Sequence, residues 1–307
     1  MTCAFLFPGQ GSQRFGMGKD VYENSLKAKE FLENASEICK IDFKHLLFEP
    51  NEDIDKSEFT QPAIVLNSLM IYLALCEKET NIEVKCMLGH SLGEFTALCV
   101  SEAFSFFDAL NLVHKRGIFM QEDCVDIEAA MMVVLGLDDE KIQELCDQAR
   151  SDGKSIFAAN YNCKGQVVVA GLKNDLLSFE EKFKQAGAKK TMLLKMNVAS
   201  HCPLLENSSK KLCIELEKVL NANFKPVVSN VSAKPYTSKE EALQLLRLQL
   251  ISPVLYRQSI ETIQDEVDCF VEFGANVLKG LNKKISSKPT YSLTQYNEID
   301  EFLKVAK

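Results

Sequence analysis

The chain has 307 residues, 46% hydrophobic and 25% charged, enough for one large core or a core with an inserted lobe. A formal net charge of -8 argues against a nucleic-acid binder, whose affinity would rest on basic surface. Eleven cysteines include no C-x-x-C pair, so neither a disulfide framework nor a zinc site is expected; Cys76, Cys86 and Cys99 lie in apolar segments and read as buried reduced thiols.

In chain order, residues 3–7 read as a first strand rather than a signal peptide, because no basic region precedes them. They run into the turn-rich Pro8-Gly9-Gln10-Gly11-Ser12. The longest apolar run, 63–76, contains Asn67 and Ser68 and is too short to span a bilayer. Being apolar almost all round, it predicts a helix buried inside the protein. Residues 84–88 predict a second strand, followed by Gly89 to Gly93 and a helix from about Glu94. A further helix is expected over 108–122.

The middle of the chain differs. Residues 131–137 read as a strand and 138–149 as a helix. Strands at 155–160 and 166–170 flank a Lys164-Gly165 turn, and 175–186 is again helical before an extended 189–196. That β-α-β-β-α-β order is the ferredoxin-like unit. On either side of it, strands alternate with helices, the pattern of an α/β fold with a mostly parallel sheet. Strands at 268–273 and 291–294 close the chain. The expected architecture is therefore a large α/β core, residues 1–126 and 197–307, with a small ferredoxin-like lobe, 127–196, inserted into it. No membrane span is expected, and the expected location is cytoplasmic.

Gly89-His90-Ser91-Leu92-Gly93 matches G-x-S-x-G, the nucleophile elbow of an α/β-hydrolase-like core. Small flanking residues permit a strained strand-to-helix turn, with Ser91 projecting from the sheet edge and the Leu92 amide turned toward a bound carbonyl. The helix N-terminus behind it favours developing negative charge. Such a serine needs a base. Of four histidines, His45 has no other cue, His90 belongs to the elbow, and His114 falls on a helix off its apolar stripe. His201 precedes a helix that Pro203 is suited to open. A neighbouring helix N-terminus would keep its imidazole neutral; it reads as the base or as a capping residue.

Arg116 lies seven residues after Ala109, on the face that Ala109, Leu112, Val113, Phe119 and Met120 define. A guanidinium on a core-facing stripe must find an anion. The spacing leaves two partners open, an acidic side chain of the protein or a carboxylate brought by the substrate.

These motifs together, with Gly9-Gln10-Gly11-Ser12-Gln13, Gly89 to Glu94, Arg116-Gly117, Asn160 to Gly171 and Ser200-His201, make the chain resemble the malonyl-coenzyme A:acyl carrier protein transacylases of type II fatty-acid synthesis over essentially its whole length. The resemblance implies that Ser91 carries the acyl group and His201 is its base. It implies an oxyanion hole from the amides of Gln10 and Leu92, a malonyl carboxylate held by Arg116, and a pocket shaped partly by Gln10. A backbone carbonyl near Gln249 would orient the histidine, making a dyad. The implied reaction is ping-pong transfer of malonyl from malonyl-coenzyme A to the phosphopantetheine thiol of acyl carrier protein, with no metal or redox cofactor. Lys189, Lys190 and Lys195 read either as a solvated cluster or as a basic patch for that acidic carrier. A serine hydrolase shares the elbow, but Arg116 and the inserted lobe count against it. Gly274-Ala275-Asn276-Val277 replaces the family's frequent Gly-Pro-Gly-Lys-like stretch, and Val198-Ala199-Ser200-His201 departs from a commoner proline-containing form.

Overall fold

In the computed structural model, which describes residues 1–78, 81–196 and 198–306, ten strands form two sheets. The strands are β1 Thr2–Phe7, β2 Glu83–Gly89, β3 Ala129–Leu135, β4 Ile156–Cys163, β5 Gln166–Leu172, β6 Lys190–Leu193, β7 Asn223–Val228, β8 Pro235–Ser238, β9 Cys269–Phe273 and β10 Thr290–Leu293. The first sheet has the order β10-β9-β1-β2-β7-β8 and is parallel except for β8. β1 sits inside it, buried from Cys3 to Phe7. Both of its faces are covered, which explains a continuous apolar run in place of alternation. Phe7 is in register with Gly89, so the loop after β1 and the elbow after β2 leave the sheet side by side. The carboxyl ends of parallel strands are where open α/β sheets place their ligands.

The second sheet, β4-β5-β3-β6, is antiparallel throughout. Helices Asp139–Ser151 and Lys173–Gln185 cover one face, burying Ile142, Leu145, Phe179 and Phe183 against Val167 and Val169. β3 starts two residues before the expected strand and stops at Leu135. There Gly136, at φ 96°, turns the chain and donates its amide to the Gly165 carbonyl. The outer edge of β4 is taken up by Val254: its N donates to Ala159 O at 2.8 Å, and Tyr161 N donates to its O at 2.9 Å. Asn197, where the second segment of the expected large unit begins, lies outside the described residues.

Two expectations need correction. The apolar helix runs Ser57–Cys76, six residues longer at its start than the expected run, and its 20 residues are long and apolar enough to cross a membrane. Its most apolar window is 78% buried inside the protein, against helix Phe106–Cys124 and the first sheet. Pro62 lies inside this helix and cannot bond the Glu58 carbonyl four residues back. His114 Nδ1 donates to that oxygen at 2.7 Å, which repairs the gap and accounts for the histidine. Cys76, at the helix end, is exposed, whereas Cys86 and Cys99 are buried.

Candidate active site

Ser91 has φ 53°, a left-handed conformation that costs a non-glycine residue energy and persists only where its surroundings hold it. The flanking glycines let the chain close this tightly. A Cβ on Gly89 would lie 1.7 Å from the Gly93 carbonyl carbon, and one on Gly93 would lie 2.0 Å from the Phe7 oxygen. Helix Gly93–Val100 starts directly behind. Asn230 straddles the turn: its Oδ1 accepts from the Ser91 amide at 2.7 Å, and its Nδ2 donates to the Gly89 carbonyl at 2.6 Å.

Ser91 Oγ lies 2.7 Å from His201 Nε2. On the other side of the ring, Nδ1 lies 2.8 Å from the Gln249 carbonyl oxygen. A carbonyl can only accept, so the ring proton sits on Nδ1 and Nε2 is left to accept from the serine hydroxyl. The imidazole is 2% exposed, and burial followed by the nearby Arg116 charge pushes its pKa down to about 3. Neutrality was expected from a helix N-terminus. The cause here is desolvation: a 3-10 turn at Pro203–Leu205 intervenes before the helix begins at Glu206.

Arg116 is 1% exposed. Its Nη1 donates to Gln61 Oε1 at 2.8 Å, its Nη2 to Ser91 Oγ at 3.2 Å, and its guanidinium carbon lies 5.4 Å from the centre of the Phe95 ring. Nε is buried without a partner. Burial lowers its pKa to about 9, opposed by Glu94, so it stays charged at neutral pH. Among the described residues no acidic side chain forms an ion pair with it, so the intra-protein salt bridge left open by the spacing is not found. Gln10 Nε2 donates to Ser57 Oγ at 2.9 Å, and its Oε1 accepts from Gln61 Nε2 at 3.4 Å. Among the described residues, the amides of Gln10 and Leu92 donate to no backbone acceptor. Ser91, His201, Arg116 and Gln10 line one cleft of about 540 Å³ between the two sheets, with Asn160 and Val168 on the facing wall.

The chain as a whole matches known proteins. Residues 4–288 match the acyl transferase domain family. The malonyl CoA-acyl carrier protein transacylase of Bacillus subtilis is 38% identical over 290 residues, 93% of this chain and 90% of that relative. The chain belongs to this family of transacylases. The crystal structure of the malonyl-CoA:acyl carrier protein transacylase from Helicobacter pylori superimposes with a TM-score of 0.95 at 45% identity, covering 100% of this chain and 98% of that one. A malonyl-transacylase solved in complex with a type II PKS acyl-carrier protein gives 0.95 at 33% identity, covering 99% and 100%.

Several residues that hold the lining of the cleft in place escape sequence reasoning. Gln61 is one of the few polar side chains in an apolar helix, which is itself a signal of a buried partner. Glu94 ends the elbow motif and is buried. Asn230 follows β7, a strand whose outer residues alternate without a strong apolar signal. His90 Nε2 meets Asn162 Oδ1 at 2.7 Å, away from Ser91, and His45 is an exposed partner of Glu49. Gly274 O accepts from Asn67 at 3.0 Å, and the next helix, Val277–Asn282, lends Val277 and Leu278 to the cleft. Lys195 also lines it, whereas Lys189 and Lys190 are exposed farther along the second unit, the Lys189 stem lying over Gly136.

Proposed function

We propose that this chain transfers a malonyl group from malonyl-coenzyme A to the phosphopantetheine thiol of an acyl carrier protein, by a ping-pong route through Ser91. The observation that carries the reading is a serine hydroxyl held between a neutral imidazole at 2.7 Å and a buried guanidinium at 3.2 Å that, among the described residues, is paired with no carboxylate. Ser91 Oγ attacks the thioester carbonyl while His201 Nε2 takes its proton. The amides of Gln10 and Leu92 receive the oxyanion. As the C–S bond breaks, His201 returns the proton to the coenzyme A sulfur, leaving a malonyl-Ser91 ester. The carrier thiol then repeats these steps in the opposite sense. Arg116 holds the free malonyl carboxylate, Gln10 shapes the pocket, and Gln249 fixes the tautomer of His201. Each proton and charge is handled by these side chains and amides, so the reading calls on no metal or redox cofactor.

In the same reading, residues 1–126 and 197–307 form a hydrolase-like catalytic unit and 127–196 a ferredoxin-like lobe whose sheet makes the opposite cleft wall. The order β4-β5-β3-β6 supports that lobe assignment. Lys189, Lys190 and Lys195 meet the acidic carrier, and the reaction belongs to cytoplasmic fatty-acid synthesis. Intact-mass spectrometry after mixing with malonyl-coenzyme A tests the central step. An adduct mapping to Ser91, absent from Ser91→Ala of unchanged fold, is expected; substantial transfer by that variant would sink the covalent route.

A further inference from the structure

Glu94 sits in the first turn of helix Gly93–Val100, and 1% of it is exposed. A buried carboxylate is tolerated where donors surround it. Its Oε1 accepts from the Tyr236 hydroxyl at 2.9 Å, and its Oε2 accepts from Gln249 Nε2 at 2.7 Å and from the Asn230 amide at 3.3 Å. Two of these three partners also touch the reacting residues. Gln249 offers its carbonyl to His201 and donates Nε2 to the Ser91 carbonyl at 3.1 Å. Asn230 brackets Ser91 through its amide and the Gly89 carbonyl.

A purely structural role for the carboxylate leaves one detail without a cause. Among the described residues, Gln249 Oε1 is buried and has no partner. Turning that amide over would point Oε1 at two acceptors, Glu94 Oε2 and the Ser91 carbonyl, so the carboxylate sets the orientation that keeps Nε2 between them. Burial meanwhile pushes the Glu94 pKa up to about 7, against the hydrogen bonds from Gln249, Tyr236 and Asn230 and the nearby Arg116 charge.

We propose that Glu94 is a positioning residue that fixes Ser91 and His201 relative to each other through Gln249 and Asn230. This rests on the reading of Ser91 as nucleophile and His201 as base. Glu94 touches neither substrate nor reacting atom. Glu94→Gln keeps its size but sets an NH₂ group against donors, which releases the clamp on one side.

The test uses the full chain, with two readouts of Ser91: its rate of labelling by a fluorophosphonate, and kcat and KM for malonyl transfer from malonyl-coenzyme A to carrier protein. In Glu94→Gln, labelling rate and kcat should both fall, on the order of 10²-fold for a displacement near 1 Å. KM for malonyl-coenzyme A should stay close to wild type, since Arg116 is untouched. Wild-type labelling and kcat in a folded Glu94→Gln chain would overturn the proposal. If that variant does not fold, Tyr236→Phe removes the donor to Oε1 with little change of packing. A smaller fall in kcat at constant KM is then expected, and an unchanged kcat overturns the proposal. A wild-type chain that labels readily but takes up no malonyl group would refute the malonyl reading; slowed labelling in Glu94→Gln would still support the positioning role.

Discussion

At the level of single residues, burial sets the charges of Arg116 and His201, and the proposed chemistry rests on both. Arg116 is buried, charged at neutral pH, and paired only with neutral groups among the described residues. In the proposed reading a malonyl carboxylate supplies the missing anion, and an acetyl group does not. Removing one member of a buried ion pair costs roughly 3–5 kcal/mol, or about two to three and a half orders of magnitude in rate. Arg116→Ala should therefore lose malonyl loading by about that factor while acetyl loading holds or rises, as read by loading assays beside a melting curve. Parallel loss of both substrates in a destabilised protein would refute the carboxylate clamp. For His201, the ordinary pKa of 6.5 falls to about 3 in the folded protein. Between those values the unfolded chain takes up a proton that the folded chain refuses, so stability is lost as pH falls from 6.5 toward 3. Glu94, raised from 4.5 to about 7, acts in the opposite sense between those values, where the folded chain holds a proton that the unfolded chain releases. His201→Ala should thus show a shallower loss of stability on acidification than wild type, measured by denaturant titration across that range. Loading by wild type should show no midpoint near 6.5 attributable to the imidazole; such a midpoint, lost in a variant of His201 only, would contradict a buried neutral base.

At the scale of elements, the elbow works because β1, β2 and helix Gly93–Val100 approach more closely than side chains allow. An added Cβ at Gly93 would meet backbone, the Phe7 oxygen at 2.0 Å, and no flexible side chain could give way. Gly93→Ala should cost about 1–3 kcal/mol or more as an overpacked contact, seen as a lower melting temperature, and should abolish adduct formation on Ser91. Wild-type melting and loading would show that the elbow can move off β1 without consequence. The long helices behave differently, since each is placed by its buried stripe. Arg116 is buried because it shares the stripe with Ala109, Leu112 and Val113, and the Pro62 break in the facing helix is closed by His114.

At the scale of the whole molecule, the cleft exists because two sheets of different construction face each other, joined at the edge of β4 by Val254. Ser91 follows a strand of the first, His201 lies in the loop that leaves the second, and the second also contributes the facing wall, with Lys189 and Lys190 exposed farther along it. With a net charge of -8, attraction of an acidic carrier depends on local basic surface. Reversing Lys189 and Lys190 to Glu should raise KM for carrier protein several-fold and weaken its salt dependence, with malonyl-coenzyme A loading nearly unchanged. Equal effects on both half-reactions would place the docking surface elsewhere.

Local patterns in the chain encode the alternation of strands and helices, the β-α-β-β-α-β order of the middle segment, the glycine-flanked turn at Ser91, and the burial of Arg116. Each leaves a mark within a few residues, as a period, a turn signal or a spacing. Strands β7 and β8 left no such mark, being short and carrying Pro226 and Pro235, and the start of the apolar helix was hidden by Pro62. Which groups meet is set by packing between elements far apart in the chain. Ser91 and His201 are 110 residues apart, His201 and Gln249 are 48 apart, and Asn230 reaches the elbow from 139 residues away. Hydrogen bonds across such separations depend on how whole elements pack, and they impose no periodicity on the chain. The neutrality of His201 belongs with them, because it comes from the loss of water around the ring once both units have closed over it.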